Sequence, residues 1–453
     1  VEKNVNSELY IYGQRRGTGQ LLATGNEGGE NRAGIGSYSS DAGNIVIHGG
    51  DISATGGDQG AAGIGGGLEH CLTTITIYGG NIKAQGYRYG TGIGSGDNNP
   101  DGTHGVITIY GGNIEARGGA LAAGIGGASM SPSCDITIHG GTVKAWGGSS
   151  GAGIGAGDNR DEIDGLYQGT VTINGGEVYA WGGDDGAGIG GGWEGNGADV
   201  TINGGLVKAW GDGNGAGIGS GSEEIMTISD VHAGKITIND GEVYAYGGVD
   251  AAGIGGGEDA DGGTIVINGG YVYAEGKDYG AGIGGGQGGK GGNVTIHGGT
   301  VIAKAGRNET GMRAIGPGEG CDDYGSLTIA DEMMVSSERM ASAGERKNMC
   351  WYRTQVQVEP CTHKGATCTI IDGSSHNVTG CGYCTTTNAP HTFGDDSQCD
   401  ACKLIRLEDE GDNSALFTRW ADGDNHDFLL NGRLLWRQCP VQAKIGRAVQ
   451  QEC

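Results

Sequence analysis

A chain of 453 residues with 54 acidic against 28 basic side chains carries a formal charge of −26, which argues against a nucleic-acid partner and favours solubility. Its 103 glycines would suit collagen or a disordered tract, but they show no G-X-Y period and fall at fixed places in a longer repeat. No window approaches the ~20 apolar residues of a membrane-spanning helix.

The first residues, Val1 to Tyr12, already read as the approach to a strand. They include neither an initiating methionine nor a signal peptide, so the chain reads as a processed or excised piece of something longer. A unit close to T-I-x-G-G-x-V-x-A-x-G-G-x-x-G-A-G-I-G-G-G then recurs. Its central isoleucine runs from Ile35 and Ile64 to Ile283 and, more weakly, Ile315, at separations of 29, 29, 32, 29, 35, 29, 36, 29 and 32 residues. A period of this length points to one coil per repeat, stacked as a solenoid. Each unit holds three segments of period-two alternation, as in Ile75 to Tyr78, Ile82 to Gln85 and Thr91 to Gly94. Three strands per coil predict an all-β, three-faced parallel β-helix of about ten coils over residues 1–340, monomeric and capped near 326–350. Alternation turns Ile75, Ile77, Ile82, Ala84 and Ile93 inward and Thr76, Tyr78, Lys83 and Gln85 outward. The glycines then serve as turns and close approaches. Matches to phosphate-loop motifs carry no weight, because no helix follows them.

The residues in excess of 29 lie between the A-G-I-G strand and the next T-I strand, at Asp97 to Gly105, Asp158 to Gly169 and Ser222 to Gly234. They should project from one edge, either as binding loops or as tolerated insertions. Acidic turns such as Asp158-Asn159-Arg160-Asp161-Glu162 and Glu258-Asp259-Ala260-Asp261 offer oxygen ligands to calcium. Neither an EF-hand loop nor the G-G-x-G-x-D calcium repeat is present.

In-register stacking makes a ladder of each outward position, one side chain every ~4.8 Å. One ladder on the V-x-A face reads Trp146, Trp181, Trp210 and Tyr246, and the other Lys144, Tyr179, Lys208, Tyr244 and Tyr273. As an exposed strip these rings would suit stacking against an extended glycan or glycoprotein surface, with Lys144 and Lys208 favouring acidic or mucin-type sugars. Cross-coil stacking that stabilises the sheet is the competing reading. On the T-I face run Thr76, Thr108, Thr137, Thr172, Thr201, Thr237 and Thr295, interrupted by Val266. Beside them stand Tyr78, Tyr110, His139, Asn174, Asn203, Asn239, Asn268 and His297. A threonine array brings ice binding into consideration, but bulky Tyr and His spoil the flatness, and asparagine ladders stabilise stacked coils. A polysaccharide lyase or hydrolase needs convergent carboxylates, or an acid with an arginine. The regular strands offer only scattered charges such as Glu115 and Arg117.

Residues 341–360 read as a cap or linker and 361–403 as a small zinc-ribbon-like module. Cys381-Gly-Tyr-Cys384 and Cys399-Asp-Ala-Cys402 are two C-x-x-C knuckles separated by 14 residues, spaced to place four thiolates around a structural zinc. Cys361, His363, His376 and His391 are auxiliary candidates; disulfides are the alternative in an oxidising space. Cys71 and Cys134 sit two coils apart at different offsets and read as small fillers rather than a pair. Residues 404–436 open a further β-rich segment that is incomplete. Residues 437–453, ending Ile445-Gly-Arg-Ala-Val-Gln-Gln-Glu-Cys453, read as a divergent, artefactual tail.

The T-I-x-G-G-x-V-x-A-x-G-G…A-G-I-G-G-G coils resemble the glycine-rich repeats of large secreted or surface proteins of gut anaerobes, especially Bacteroidetes. The join is similar too, from Ser326-Leu-Thr-Ile-Ala-Asp-Glu-Met through Glu345, Arg346, Cys350 and Arg353 to Val358-Glu-Pro-Cys-Thr-His363. So are the openings Asp412-Asn-Ser-Ala-Leu416 and Leu430-Asn-Gly-Arg433. The resemblance covers residues 1 to 436 and implies export and a surface role, with no catalytic residues attached. Together these readings favour a noncatalytic secreted or cell-surface solenoid, adhesin-like and glycan-binding or structural. A polysaccharide-active enzyme comes second and an ice-binding protein a distant third.

Overall fold

Period-two alternation and in-register stacking produce three parallel sheets. The computed structural model describes residues 8–335 apart from loop segments at 14–18, 26–31, 38–42, 70–73, 99–103, 160–167, 224–230 and 308–312. It also describes residues 347, 350 and 353–361, and seven strands between 367 and 437. Sheet one holds 11 T-I strands, from Glu8–Ile11 to Ser326–Ile329. Sheet two holds the V-x-A strands, from Gln20–Thr24 to Thr300–Lys304. Sheet three holds 10 two-residue Ile-Gly strands, from Ile35–Gly36 to Ile315–Gly316. Among residues described between 8 and 335 there is no helix.

Register explains why so thin a coil can be stable. Val143 pairs with Val178 and Trp146 with Trp181, while Ile154 pairs with Ile189 on the third face. Each inward side chain therefore meets its own kind above and below. Ile75, Ile77 and Ile93 are all 0% exposed, and Ile82 and Ala84 are buried beside them, so burial is completed by the neighbouring coils. The fold expected from the repeat is the fold observed.

Sheet three explains the glycines. At Gly190 φ is +136°, and a Cβ there would stand 1.8 Å from the carbonyl oxygen of Gly219 in the next coil. Only a residue without a side chain lets the coils close to strand spacing at this corner. The outer side of this sheet is buried as well, because the turns on either side of it fold over and meet.

The last V-x-A strand is met by a reversed strand. The strand Gln355–Pro360, within the segment read as linker, runs antiparallel to Thr300–Lys304, with Val301 opposite Val358 and Ala303 opposite Val356. Val356 and Val358 are buried there. A reversed strand continues the hydrogen-bonding of the last coil without extending the parallel stack, which protects the edge. One compact unit comprises residues 1–330 together with 347–359. The second unit, 331–346 and 360–453, contains two antiparallel sheets. One has three strands, Thr367–Ile370, Ser375–Thr379 and Asn388–Pro390. The other has four, Leu404–Leu407, Ala415–Asp422, Asn425–Leu430 and Arg433–Arg437.

Candidate functional site: aromatic ladder, polar groove and acidic seam

The outward positions of sheet two bring the expected rings together. Trp146 and Trp181 lie 4.8 Å apart at 5°, Trp181 and Trp210 5.0 Å apart at 5°, and Trp210 and Tyr246 5.8 Å apart at 9°. The strip is half-buried rather than exposed, because each ring lies flat against the ring of the next coil. The Arg117 guanidinium closes the first face, 3.8 Å from the Trp146 ring centre. Tyr273, tilted at 49° and 5.7 Å from Tyr246, closes the last. Ring faces are therefore occupied by neighbouring side chains, and ring edges point to solvent.

The second rank is tied down by carboxylates. The Tyr179 hydroxyl donates to Glu177 at 3.3 Å, that of Tyr244 to Glu242 and that of Tyr273 to Glu275 at 2.5 Å. The hydrogen bond to Glu242, with burial and that carboxylate's charge, pushes the Tyr244 phenol up to about 12, so it remains a donor at neutral pH. Lys208 Nζ lies 5.0 Å from the Tyr244 ring centre. Lys144 stands in register between Glu115 and Tyr179.

On sheet one the outward side chains form a second continuous column. His48, Tyr78, Tyr110 and His139 stack at 4.9, 5.0 and 4.8 Å. The column continues as amides: Asn203 donates to Asn174 at 2.8 Å, Asn239 to Asn203 at 2.7 Å and Asn268 to Asn239 at 2.7 Å. Asn203→Ala removes two of these solvent-facing bonds and should cost about 1 kcal/mol, read as a lower urea midpoint. A midpoint shared with the parent protein would show that the ladder contributes nothing.

A surface groove of about 550 Å³ lies where the turns enter sheet one, lined by Asp199, His232, Lys235, Asp261, Thr264, Lys290, Asn293 and Asp323. These residues occupy two repeat positions. His232, Asp261, Lys290 and Asp323 each precede a strand by three residues, while Asp199, Lys235, Thr264 and Asn293 begin strands. The carboxylates tie successive coils together: Lys235 N–H donates to Asp199 Oδ1 at 3.0 Å and Lys290 N–H to Asp261 Oδ1 at 2.8 Å. Lys290 Nζ also pairs with Asp261 Oδ2 at 2.8 Å. Sequence reasoning missed this groove because polar residues at turn positions look like ordinary solvated turns. Its available signal was the alternation Asp, Lys, Asp at Asp261, Lys290 and Asp323.

The turns over sheet three form an acidic seam. In coil after coil, the residue four places before the Ile-Gly isoleucine accepts the N–H of the residue four places after the next one. Examples are Asp97 to Gly60 at 2.9 Å, Asp158 to Leu121 at 2.9 Å, Ser222 to Asp185 at 3.0 Å and Glu258 to Asn214 at 2.9 Å. Asp97 is 6% exposed and Asp158 0%. Burial first, and then the charge of Asp158, push the Asp97 carboxyl up to about 7, against a hydrogen bond from Asn98 N–H that pulls it down. Burial also leads the upward shifts of Asp185, Asp250, Glu258 and Asp259.

Of the candidate zinc ligands, Cys381, Cys384, Cys399, Cys402, His363 and His391 lie outside the described residues. His376 lies on the strand Ser375–Thr379, and Cys361 N–H donates to the Glu332 carbonyl at 2.8 Å. Cys134 is buried in the solenoid, its Sγ 3.3 Å from the Gly126 carbonyl oxygen; Cys71 lies outside the described residues.

Compared with known proteins, the chain matches the beta helix repeat family in nine segments: 45–68, 75–97, 107–129, 136–158, 171–193, 200–222, 236–258, 265–287 and 294–318. Neither the curated proteins nor the solved structures compared with it include a match. Each matched segment begins within a sheet-one strand and ends in the turn beyond the Ile-Gly strand. Nine of the ten coils carry a match, and with three stacked parallel sheets the described residues between 8 and 335 form a parallel β-solenoid built of beta helix repeats.

Proposed function

We propose that the solenoid is a noncatalytic secreted or cell-surface protein, adhesin-like in role, that binds an extended glycan along the groove beside sheet one. The groove carries this reading. It offers donors and acceptors in two ranks that repeat at the strand spacing of ~4.8 Å, close to the length of one sugar unit. It does so on a backbone held rigid by the coils on either side, so little ordering is needed on binding. Lys290 is already neutralised by Asp261, and the formal charge of −26 repels acidic ligands at long range. A neutral, hydroxyl-rich chain of mucin or plant type therefore fits better than a sulfated one. The aromatic ladder has a different part in this reading. With ring faces occupied, it acts as a spine that fastens coil to coil, and offers a ligand ring edges together with Lys144 and Lys208.

The test is binding of the full chain to arrayed mucin and plant glycans. Lys235→Ala with Asn293→Ala, two exposed positions, should weaken binding about tenfold by removing two hydrogen-bonding groups. Unchanged binding by this variant would exclude the groove. Loss confined to Trp181→Ala with Trp210→Ala, in folded protein, would move the site to the ladder. Release of reducing sugar would identify a polysaccharide-active enzyme instead.

A further inference from the structure

The amide ladder of sheet one stands beside backbone groups that the fold leaves untied. Asn174, Asn203 and Asn268 are each followed by glycine, and all three asparagines are exposed. An asparagine before glycine can cyclise: the glycine nitrogen attacks the side-chain carbon Cγ, and no Cβ on the attacking residue hinders the approach. A hydrogen bond on that N–H restrains the attack, because the nitrogen must first leave its acceptor. Among the described residues the N–H groups of Gly175, Gly204 and Gly269 donate to no acceptor. Two other Asn-Gly pairs of the solenoid, Asn196-Gly197 and Asn214-Gly215, differ on this point. Gly197 N–H donates to the His232 carbonyl at 2.9 Å and Gly215 N–H to the Asp212 carbonyl at 3.1 Å. As dipeptides these pairs are alike, and backbone contacts alone separate them.

We propose that the ladder is a site of spontaneous covalent modification, in which Asn268 first, and Asn203 and Asn174 after it, convert to aspartate and isoaspartate. In the first step a bond forms from Gly269 N to Asn268 Cγ, the Cγ–Nδ2 bond breaks, and the glycine proton leaves with the amide nitrogen as ammonia. Water then opens the five-membered imide at either carbonyl, giving aspartate or an isoaspartate whose main chain runs through the side-chain carbon. Asn268 leads because one ladder bond holds it. Its amide donates to Asn239 at 2.7 Å, while its Oδ1 accepts no hydrogen bond among the described residues. Asn203 must break two, one to Asn174 and one from Asn239. Asn174 likewise accepts from Asn203, and its Nδ2 lies 3.3 Å from His139 Nδ1. Each conversion replaces a donor by a carboxylate that only accepts, so the neighbouring amide loses its partner and like charges gather at the ~4.8 Å coil spacing. Asn239 precedes Asp240, whose side chain crowds the attacking nitrogen, so the ladder keeps one resistant member.

The test is to age the full chain, folded, in warm and mildly alkaline water enriched in heavy oxygen, which marks each newly formed carboxyl, and to map the digest by mass spectrometry. The expected result is conversion of Asn268 about tenfold faster than that of Asn196 or Asn214, with Asn203 and Asn174 between. The same chain aged in denaturant should convert all of these at similar rates, since the hydrogen bonds that separate them are then gone. Gly204→Ala should slow Asn203 about tenfold and leave Asn268 unchanged, because its methyl burdens one attacking nitrogen only. That methyl stands 3.4 Å from its nearest neighbour, the Asn174 carbonyl oxygen, so the variant keeps its fold. Asn268→Asp, one product made in advance, should unfold at a lower urea concentration than the parent. Equal rates at the ladder and at Asn196 and Asn214 in the folded chain would overturn the proposal, because the reaction would then run through unfolding. So would an Asn268 that takes up no heavy oxygen over the time in which the denatured chain converts. None of these readouts involves glycan binding.

Discussion

Gly190→Ala is expected to open the solenoid in its middle. The added methyl would sit 1.8 Å from the Gly219 carbonyl oxygen, on a residue whose φ is +136°. The obstacle is backbone, so no side chain can swing aside. Ile189 and Gly190 are also held in register with Ile218 and Gly219, which fixes the spacing that would have to widen. Steric exclusion and an unfavourable φ act together, placing the loss beyond about 4 kcal/mol, a range reached by few single substitutions. Gly204→Ala is the matched control. Its Cβ would approach only the Asn174 carbonyl oxygen, at 3.4 Å, and it should change stability by less than about 1 kcal/mol. Limited proteolysis should cut Gly190→Ala within the central coils under conditions that leave Gly204→Ala intact. Equal resistance of the two proteins would refute the close-approach account.

The second large effect is expected from Trp181→Ala with Trp210→Ala. Read as outward residues of a sheet, these tryptophans promise little change in stability on removal. Stacked at 4.8 and 5.0 Å on their neighbours and half-buried, they do not. Each ring loses apolar contact on both faces, and the pair should cost about 3–6 kcal/mol, from area and stacking together. Replacing both by Tyr keeps flat rings in the stack and should recover most of the loss. A denaturation midpoint within about 1 kcal/mol of the parent for the Ala pair would show that the stack is incidental. This measurement also conditions the glycan experiment: reduced binding by the Ala variant is informative only where circular dichroism shows the sheet intact.

The coil was legible in the sequence because alternation is a local property. Ile75, Ile77, Ile82, Ala84 and Ile93 are inward whatever surrounds them, since period two is set by the strand itself, and the spacing of the A-G-I-G isoleucines then stacks one coil on another. The same logic placed Trp146, Trp181, Trp210 and Tyr246 in one column. It could not say whether their faces or their edges meet solvent. That depends on the side-chain torsion beyond Cβ, which the ring of the next coil decides.

What only the tertiary structure decided lies in turns and reversals. Gly60 and Asp97 are far apart in sequence, yet their hydrogen bond roofs sheet three and thereby buries the carboxylates of the seam. The groove likewise exists only because His232, Asp261, Lys290 and Asp323 arrive at one position on successive coils. The direction of Gln355–Pro360 is a choice between two edge pairings that the strand's own alternation fits equally well. Sequence alone thus determined which residues face inward and how often the chain returns. Contacts between coils determined what the outward residues face, because those contacts join positions that no local period relates.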